Sequence, residues 1–371
     1  MGERILITGG AGFIGRAICR ELLRRGNEVR VLDNLIEQVH GDRERPDDFP
    51  DGAELIVGDI RNKDVVARSL KDIDAVVHLA AEVGVGQSMY AVERYTSVNE
   101  TGSAVLCEAL IDQPVRRVVT ASSMSIYGEG LYRDVDGNLV QNAERKPRTS
   151  DLQGWDPVDD NDRPLTPVAT PEWKQPSLAS IYALGKFVQE RQTLIMTRAY
   201  GMEGTCLRLF NVYGPGQALS NPYTGVLAIF SSRLANGQRP MIFEDGEQRR
   251  DFVYVGDVAR AFCEALVKPD AVGEVFNIGS GEERSVRQVA QSIARAMNRK
   301  DIEPEIVGKS RIGDIRHCFC DGSKAADRLG FYAEKDFDEG LVELAEWVAQ
   351  QEAQDRVDEA RAELEEKGLV A

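Results

Sequence analysis

The chain of 371 residues contains no run of about 18 apolar residues, the length that a helix needs to cross a bilayer. It is also short of positive charge, because 45 Lys and Arg face 61 Asp and Glu and leave a formal net charge of −16. We therefore expect neither a membrane partner nor a nucleic-acid-binding surface. Any phosphate-bearing partner must be held locally, by a few arginines and backbone amides.

Cysteines are few, six in all, and they are scattered along the chain. The first four residues lead directly into a predicted strand and leave no room for a signal peptide. We therefore expect a cytoplasmic protein whose cysteines are buried thiols and not disulfides. His317, Cys318 and Cys320 lie together, but the alternation Cys-Phe-Cys is typical of a strand with one buried face. No metal site is predicted.

Short apolar runs alternate with stretches of helical periodicity through the first part of the chain. The pattern predicts strands at 4–8, 28–32, 54–57, 75–79, 117–121 and 204–209, and helices at 13–25, 64–70, 92–110 and 181–200. Alternation of this kind is typical of an α/β fold with a doubly wound parallel sheet (Rossmann) that carries helices on both faces.

A glycine-rich turn joins the first predicted strand to the first helix with the spacing G-x-x-G-x-x-G. Glycines let the backbone turn tightly and let a pyrophosphate approach it, while the helix N-terminus offers free N–H groups. Asp33 ends the second strand, where a carboxylate accepts hydrogen bonds from the ribose hydroxyls and repels a 2′-phosphate. The pattern predicts NAD and not NADP. The predicted contacts in the turn are Gly9, Gly12, Phe13, Ile14 and Gly15.

Further cofactor contacts are predicted after successive strands, at the carboxyl edge of the sheet. Asp59 is placed to face the adenine amino group, and the run Leu79–Ala81 offers small side chains where a flat cofactor passes. The complete set beyond the glycine turn and Asp33 is Asn34, Asp59, Ile60, Leu79, Ala80, Ala81 and Asn99, together with the two helix residues Tyr182 and Lys186.

Tyr182 and Lys186 form a Y-x-x-x-K pattern at the start of a predicted helix, so they share one helix face. Tyrosine is a poor base because its unperturbed pKa is about 10. A nearby ammonium and the positive nicotinamide ring favour the phenolate, which can then take a proton from a hydroxyl as hydride leaves the same carbon. Ser123 follows a buried strand and supplies a hydroxyl at the same edge. These three residues are the predicted catalytic group.

In this order, the motifs resemble those of extended short-chain dehydrogenases/reductases of the NAD-dependent epimerase/dehydratase family, over about Arg4 to Leu329. In that family a Ser or Thr, a Tyr and a Lys form the catalytic triad, which Ser123, Tyr182 and Lys186 match. The resemblance implies NAD as cofactor and a nucleotide-diphosphate sugar as substrate. Relatives commonly dimerise through a four-helix bundle, so a homodimer is expected by analogy alone.

The family's dehydratases carry an Asp-Glu pair directly after the triad hydroxyl residue, whereas this chain has Met124 and Ser125. Neither is a strong general acid or base, which argues against elimination. A reductase would more often use NADPH, which Asp33 disfavours. The resemblance therefore predicts a 4-epimerase that oxidises C4 of the sugar and returns the hydride to the other face. A dehydratase, a reductase and a non-catalytic NAD-binding sensor are the alternatives.

Arginines are expected to hold the substrate. Arg250 stands directly before Asp-Phe, where the family's Arg binds the diphosphate, and Arg311 opens an Arg-x-Gly-Asp motif that adds a second cation and a ribose contact. The predicted substrate contacts are Ser123, Ser125, Asn211, Phe243, Arg250, Arg311 and Asp314. Residues 217–226 and the insertion at 129–177 most resemble bacterial dTDP-L-rhamnose 4-epimerases, with UDP-glucose and UDP-glucuronate 4-epimerases as alternatives.

The predicted organisation has two domains and a tail. The NAD-binding domain covers 1–213, and a strand and helix at 251–268 return to it. Its insertion at 129–177 has little periodicity and is interpreted as a lid or specificity loop. A nucleotide-sugar-binding domain follows at 214–340, with helices at 226–236 and 286–298. The tail at 341–371 is rich in Glu, Ala, Arg and Gln and is predicted to form a solvated, charged helix.

Overall fold

The computed structural model describes residues 2–41, 44–145, 154–219, 221, 223, 225–311, 313–351 and 357–370. The strands are β1 (Arg4–Thr8), β2 (Glu28–Asp33), β3 (Ala53–Val57), β4 (Ala75–His78), β5 (Arg117–Ser123), β6 (Leu131–Arg133), β7 (Leu139–Val140), β8 (Thr166–Val168), β9 (Glu203–Leu209), β10 (Asn211–Tyr213), β11 (Met241–Ile242), β12 (Arg249–Tyr254), β13 (Val275–Ile278), β14 (Glu283–Ser285), β15 (Glu305–Ile306) and β16 (His317–Cys318). The helices are α1 (Phe13–Arg24), α2 (Glu37–His40), α3 (Lys63–Ser69), α4 (Val85–Ser88), α5 (Val92–Thr96), α6 (Gly102–Asp112), α7 (Ile181–Ala199), α8 (Val226–Ala235), α9 (Val255–Val267), α10 (Val286–Ala296), α11 (Ser323–Leu329), α12 (Phe337–Val348) and α13 (Val357–Glu366).

The centre of the molecule is a seven-stranded parallel sheet with the strand order β13-β9-β5-β4-β1-β2-β3. β4 and β5 are buried along their whole length, because helices cover both faces of the sheet. In β1, Ile5 and Ile7 join the core under α1 and α9, while Leu6 joins the core under α3, α6 and α7. The predicted doubly wound parallel sheet is confirmed.

The strand that rejoins the central sheet is not the one that was predicted at 251–268. α9 does pack on α1, with Val258 and Phe262 buried in the same core. β12, however, pairs with β10, β14 and β16 in a separate small sheet. The strand that rejoins the central sheet is β13, which pairs in parallel with β9. The prediction placed the wrong strand there, because a parallel crossover adds its strand after the helix.

The tail is not the single helix that its composition suggested. α12 begins at the N-cap Asp336, whose side chain accepts a hydrogen bond from the Glu339 N–H. Leu341 and Leu344 are buried with residues of α8 and α10 in a second core, so the predicted boundary at residue 340 falls inside α12. α13 is a separate helix, and the tail positions 352–356 and 371 lie outside the described residues.

The insertion at 129–177 folds onto the chain that precedes α11. Its strands β6, β7 and β8 form an antiparallel sheet. The Gly130 and Thr170 amides donate to the carbonyls of His317 and Phe319, at 2.8 and 2.9 Å. Asp156 accepts a charged hydrogen bond from Arg316 Nε at 2.6 Å. Residues 146–153 of the insertion lie outside the described residues.

The cysteines are free thiols, as predicted. They are buried, apart from a half-buried Cys107. Cys318 and Cys320 belong to a small apolar cluster with Tyr127 and Phe210, which is where the predicted strand alternation directs them. Within the described ranges, no helix is both long enough and apolar enough to cross a membrane.

A buried ion pair attaches α7 to the central sheet. Arg208 on β9 and Glu190 on α7 form a two-pronged pair with nitrogen–oxygen distances of 2.8 and 2.9 Å. Ser122 on β5 donates a third hydrogen bond to the same carboxylate at 2.7 Å. Both charged side chains are almost completely shielded from solvent. Each buried charge needs the other as its partner, so this ion pair holds α7 in its position on the central sheet.

We predict that Glu190→Ala lowers the free energy of unfolding by about 3–5 kcal/mol, because it leaves the buried Arg208 guanidinium unpaired. Glu108→Ala is the matched control, because it removes a carboxylate whose partner Lys63 is exposed, and it should change stability little. Urea unfolding of both variants followed by circular dichroism measures the difference. Equal stabilities would show that the buried pair does not secure α7.

Candidate active site

A cleft of about 1210 Å³ runs along the carboxyl edge of the central sheet. It continues between this sheet and the second core, which contains residues of α8, α10 and α12. Both the glycine turn after β1 and the first turns of α7 open onto it. The predicted site residues that line the cleft are Gly9, Gly12, Phe13, Ile14, Gly15, Asp33, Asn34, Ile60, Leu79, Ala80, Ala81, Ser123, Ser125, Tyr182, Lys186, Asn211, Phe243, Arg250, Arg311 and Asp314.

The glycines of the turn serve different purposes. Gly9 has a φ of +72°, which favours glycine, and its amide donates to the Leu32 carbonyl at 2.7 Å. A Cβ at Gly15 would lie 2.5 Å from the Gly10 Cα, so this position is closed by the packing of α1 on the turn. A Cβ at Gly12 would meet the Gly9 carbonyl oxygen at 3.3 Å and otherwise face open space. Gly12 therefore leaves room for a group from the cleft.

Asp33 lies beside this turn at the end of β2. Its carboxylate accepts hydrogen bonds from the Ala11 amide at 3.0 Å and the Leu35 amide at 2.9 Å, and His40 Nε2 lies 3.7 Å away. An acid held next to the glycine turn is what the adenine ribose of NAD requires. The turn, with room at Gly12 and a helix N-terminus behind it, fits the pyrophosphate. These residues therefore fit NAD as the cofactor.

Two predicted cofactor contacts do not line the cleft. Asp59 forms a fork with Arg61, with distances of 2.6 and 2.9 Å, and this pairing lowers the pKa of the Asp59 carboxyl. Its contact with the adenine stays a prediction. Asn99 accepts from the Glu82 amide at 2.7 Å and donates to the Glu82 carbonyl at 3.1 Å. Its direct cofactor contact stays a prediction, and in the structure its amide holds the loop after β4.

The backbone around Asn99 explains that role. The helix predicted over 92–110 is interrupted by a π-helical turn at Ser97–Thr101, which separates α5 from α6. Such turns often occur at functional sites. Here the turn carries the buried Asn99 under the loop that follows β4. Asn99 lies behind the cleft wall and thus fixes the position of the loop that contains Ala80 and Ala81.

Tyr182 and Ser123 meet at the carboxyl edge of the sheet. Ser180 caps α7 by accepting the Ala183 amide at 3.1 Å, so Tyr182 lies in the first turn of that helix. Ser123 Oγ lies 2.6 Å from Ser125 Oγ. Burial raises the pKa of Tyr182, and a hydrogen bond with Ser123 opposes that rise without cancelling it. Tyr182 is therefore a protonated phenol until positive charge is brought beside it.

Lys186 is held by neutral groups. Its ammonium donates to Gln189 Oε1 at 2.7 Å, and burial lowers the pKa of Lys186 to about 8. Gln189 donates in turn to Ser103 Oγ at 2.8 Å, which lies 2.8 Å from His78 Nε2. Burial lowers the pKa of His78 to about 3, so its ring is neutral. The charge of Lys186 therefore stays available to a Tyr182 phenolate. Gln189 and His78 were not predicted.

The predicted substrate residues also line the cleft and contact one another in part. The Arg311 guanidinium lies 4.5 Å from the centre of the Phe243 ring and pairs with Asp314 at 2.8 Å. Arg250 donates hydrogen bonds to backbone carbonyls of the residues that follow Asp314, and also to the carbonyl of the residue directly before it. Two of these hydrogen bonds are 2.9 Å long. Asn211 donates to the Asp251 carbonyl at 2.8 Å. The two guanidinium groups can grip a diphosphate from one side.

Arg145 of the insertion supports this segment and was not predicted. It pairs with Glu129 at 3.2 Å and with Glu244, and it donates to the Asp314 carbonyl. Among the described residues of the insertion, none lines the cleft. The insertion thus holds the Arg311–Asp314 segment from outside, and its role as a lid stays a prediction.

α13 reaches the cleft, which its charged composition did not predict. Ala360 and Leu364 are buried and line the cleft, so the prediction of a solvated helix is wrong. The two side chains are four residues apart and share one face of the helix. That short apolar stripe, within a charged segment, was the signal available in the sequence.

Known proteins resemble the chain over most of its length. The model of the NAD dependent epimerase/dehydratase family matches residues 5–150 and 159–279. The dTDP-L-rhamnose 4-epimerase of Burkholderia thailandensis is 36% identical over 355 residues, which cover 94% of this chain and 96% of that protein. The UDP-glucose 4-epimerase of Thermotoga maritima, solved with UDP-glucose, is 31% identical with a TM-score of 0.76, over 94% of this chain and 99% of that one. The UDP-glucose 4-epimerase of Thermus thermophilus, solved with NAD, is 30% identical with a TM-score of 0.74, over 94% and 100%.

Substitutions at Gly12 and at Gly15 should have different effects, because the space around the two glycines differs. We predict that Gly12→Ala leaves the thermal midpoint of the cofactor-free protein nearly unchanged but lowers its NAD content, because the added methyl group enters the open space of the cleft. Gly15→Ala should lower the thermal midpoint itself, because its methyl group collides with backbone. Thermal unfolding and assay of NAD released by acid measure both effects. A native midpoint in Gly15→Ala would contradict this account.

We expect the buried Lys186 to lower the free energy of unfolding of the protein. Its folded pKa of about 8 lies below the ordinary 10.5, so the unfolded state binds the proton more tightly between these values. The cost is therefore full below about pH 8 and disappears as pH rises towards 10.5. We predict that cofactor-free Lys186→Met is about 1–3 kcal/mol more stable than the native protein at about pH 7, and inactive.

Urea unfolding at about pH 7 and about pH 10 tests this stability difference, which should shrink at the higher pH. A stability difference that does not change with pH would show that the lysine is not held in a costly buried state.

Proposed function

Because the chain belongs to the NAD dependent epimerase/dehydratase family, we propose that it is a nucleotide-sugar 4-epimerase. The observation that carries the proposal is the arrangement of one cleft. Ser123, Tyr182 and Lys186 lie at the sheet edge beside the glycine turn, and Arg250 and Arg311 line the same cleft. A base, a site for a hydride carrier and a grip for a diphosphate are therefore aligned in a single cavity.

The three residues of the predicted catalytic group have separate roles in the proposed reaction. Bound NAD supplies a hydride acceptor and donor. Tyr182 takes the proton of the C4 hydroxyl and gives it back after the flat 4-keto sugar has turned its other face to the cofactor. Lys186 stabilises the phenolate through its charge, since the groups bonded to it are neutral. Ser123 hydrogen-bonds the reacting oxygen and relays the proton.

The residues after Ser123 disfavour dehydration. Met124 and Ser125 are buried beside the triad, and Ser125 Oγ bonds Ser123 Oγ at 2.6 Å. A thioether and a hydroxyl do not protonate a leaving hydroxyl group at neutral pH. The 4-keto sugar can therefore be reduced again but has no acid at this position to assist elimination.

For the substrate, dTDP-L-rhamnose is our first choice. The support is the 36% identity to the dTDP-L-rhamnose 4-epimerase, together with the placement of residues 217–226, several of which line the cleft. Within that segment, residues 220, 222 and 224 lie outside the described ones. UDP-glucose and UDP-glucuronate are the alternatives, because the solved relatives include UDP-glucose 4-epimerases.

A homodimer in the cytoplasm is part of the same proposal. Apolar side chains are exposed on α5, α6 and α7, namely those of Val92, Ile111, Leu184 and Ile195. Two copies of such a helical face can bury each other in a four-helix bundle. The buried free thiols agree with a reducing compartment.

The test is NMR of the purified protein incubated separately with dTDP-L-rhamnose, UDP-glucose and UDP-glucuronate, without added cofactor. We expect a C4 epimer from one of them, and none from Tyr182→Phe. Tyr200→Phe is the matched control at the far end of α7, where the ring is exposed, and it should keep full activity. A stable 4-keto product would instead support a dehydratase or dehydrogenase, and no reaction with any sugar would contradict the proposal.

A further inference from the structure

α13 is attached to the NAD-binding side of the cleft. Leu364 packs on Gly86, where an added Cβ would lie only 3.3 Å from the leucine side chain. The carboxylate of Glu363 accepts a hydrogen bond from the Tyr223 hydroxyl at 2.6 Å, and that hydroxyl lies 2.7 Å from the Tyr90 hydroxyl. These contacts attach one side of the helix to α4 and the residue that follows it closely, and to the loop that follows β10.

The same helix is attached to the substrate side. Glu365 lies 3.5 Å from Lys309 Nζ, and Asp358 lies 3.3 Å from Arg233 Nη1. Val370, just after the helix, forms an antiparallel backbone bridge with Arg311. α13 therefore crosses the cleft from one core to the other. The Asp358 and Lys309 side chains are exposed, so these two ion pairs contribute little to the attachment of α13, whose buried contacts with the cleft are those of Ala360 and Leu364.

Arg361 lies on the cleft side of α13. Its Nε donates to Glu365 at 3.1 Å, and its Nη1 donates to the Met241 sulfur at 3.5 Å. A thioether is a weak acceptor, so a guanidinium N–H bonded to it gains by exchange for an anionic oxygen. Met241 is two residues before Phe243, whose ring lies 4.5 Å from the Arg311 guanidinium, so Arg361 is near a residue of the predicted diphosphate grip.

We propose that Arg361 binds the diphosphate of the nucleotide sugar and that α13 closes over the bound substrate. The inference rests on the proposed function, which supplies the anionic ligand. A third guanidinium, carried by α13, joins those of Arg250 and Arg311, so three cations hold the diphosphate while the sugar turns. Closure of α13 also shields the 4-keto sugar from water and from escape.

The experiment measures dTDP and UDP binding to the NAD-bound protein by isothermal titration calorimetry. Arg361→Leu should raise the Kd for the preferred nucleotide about tenfold, as expected for a lost charge-assisted hydrogen bond, and Arg361→Lys should recover part of the affinity. Lys367→Leu is the matched control, because it removes one positive charge from the exposed end of the same segment. Arg250→Leu is the positive control. NAD content and thermal unfolding verify that each variant is folded.

Hydrogen exchange supplies a second measurement. The α13 amides should become protected when the nucleotide binds to the native protein, and this gain should be lost in Arg361→Leu. If Arg250→Leu weakens binding and Arg361→Leu does not, the inference is wrong while the proposed function stands. If neither variant weakens binding, the nucleotide does not bind in this cleft, and both proposals fail.

Discussion

The position of α7 depends on the ion pair between Glu190 and Arg208, which is buried between that helix and the central sheet. Tyr182, Lys186 and Gln189 lie on the same face of the helix as Glu190, spaced close to whole turns. Because the carboxylate is held by β5 and β9 together, this face is directed at the carboxyl edge of the sheet. The phenol and the ammonium that we propose to be catalytic are therefore aligned by an interaction outside the proposed chemistry.

Burial sets the protonation states of the site. It raises the pKa of Tyr182 and lowers that of Lys186, so both shifts oppose the charged forms that catalysis uses. Lys186 donates to the uncharged Gln189 and lies near a deprotonated His78, while the Glu190 carboxylate one turn further on is paired with Arg208. In the proposed reaction, the positive charge that bound NAD would supply is what would favour the Tyr182 phenolate, so activation would be coupled to cofactor binding by electrostatics.

Local patterns in the sequence predicted much of this arrangement. The alternating strands and helices and the glycine turn predicted the parallel sheet, and the family and the NAD cofactor are confirmed by the family match and by a solved relative with NAD. What escaped prediction depends on distant parts of the chain. Arg145 meets Glu244 across 99 residues, and Glu363 meets Tyr223 across 140. Such contacts leave no periodic signal, and the charged composition of the tail concealed its short apolar stripe.

In the proposed reaction, hydride leaves C4 of the sugar and returns to the same carbon within one closed site. The most direct test uses dTDP-L-rhamnose labelled with deuterium at C4, incubated with the protein and an excess of free unlabelled NADH, and analysed by mass spectrometry. The account predicts that the epimer keeps its deuterium at C4. Loss of the label to solvent or to the free NADH would contradict it, because the hydride would then not be held and returned by one bound cofactor.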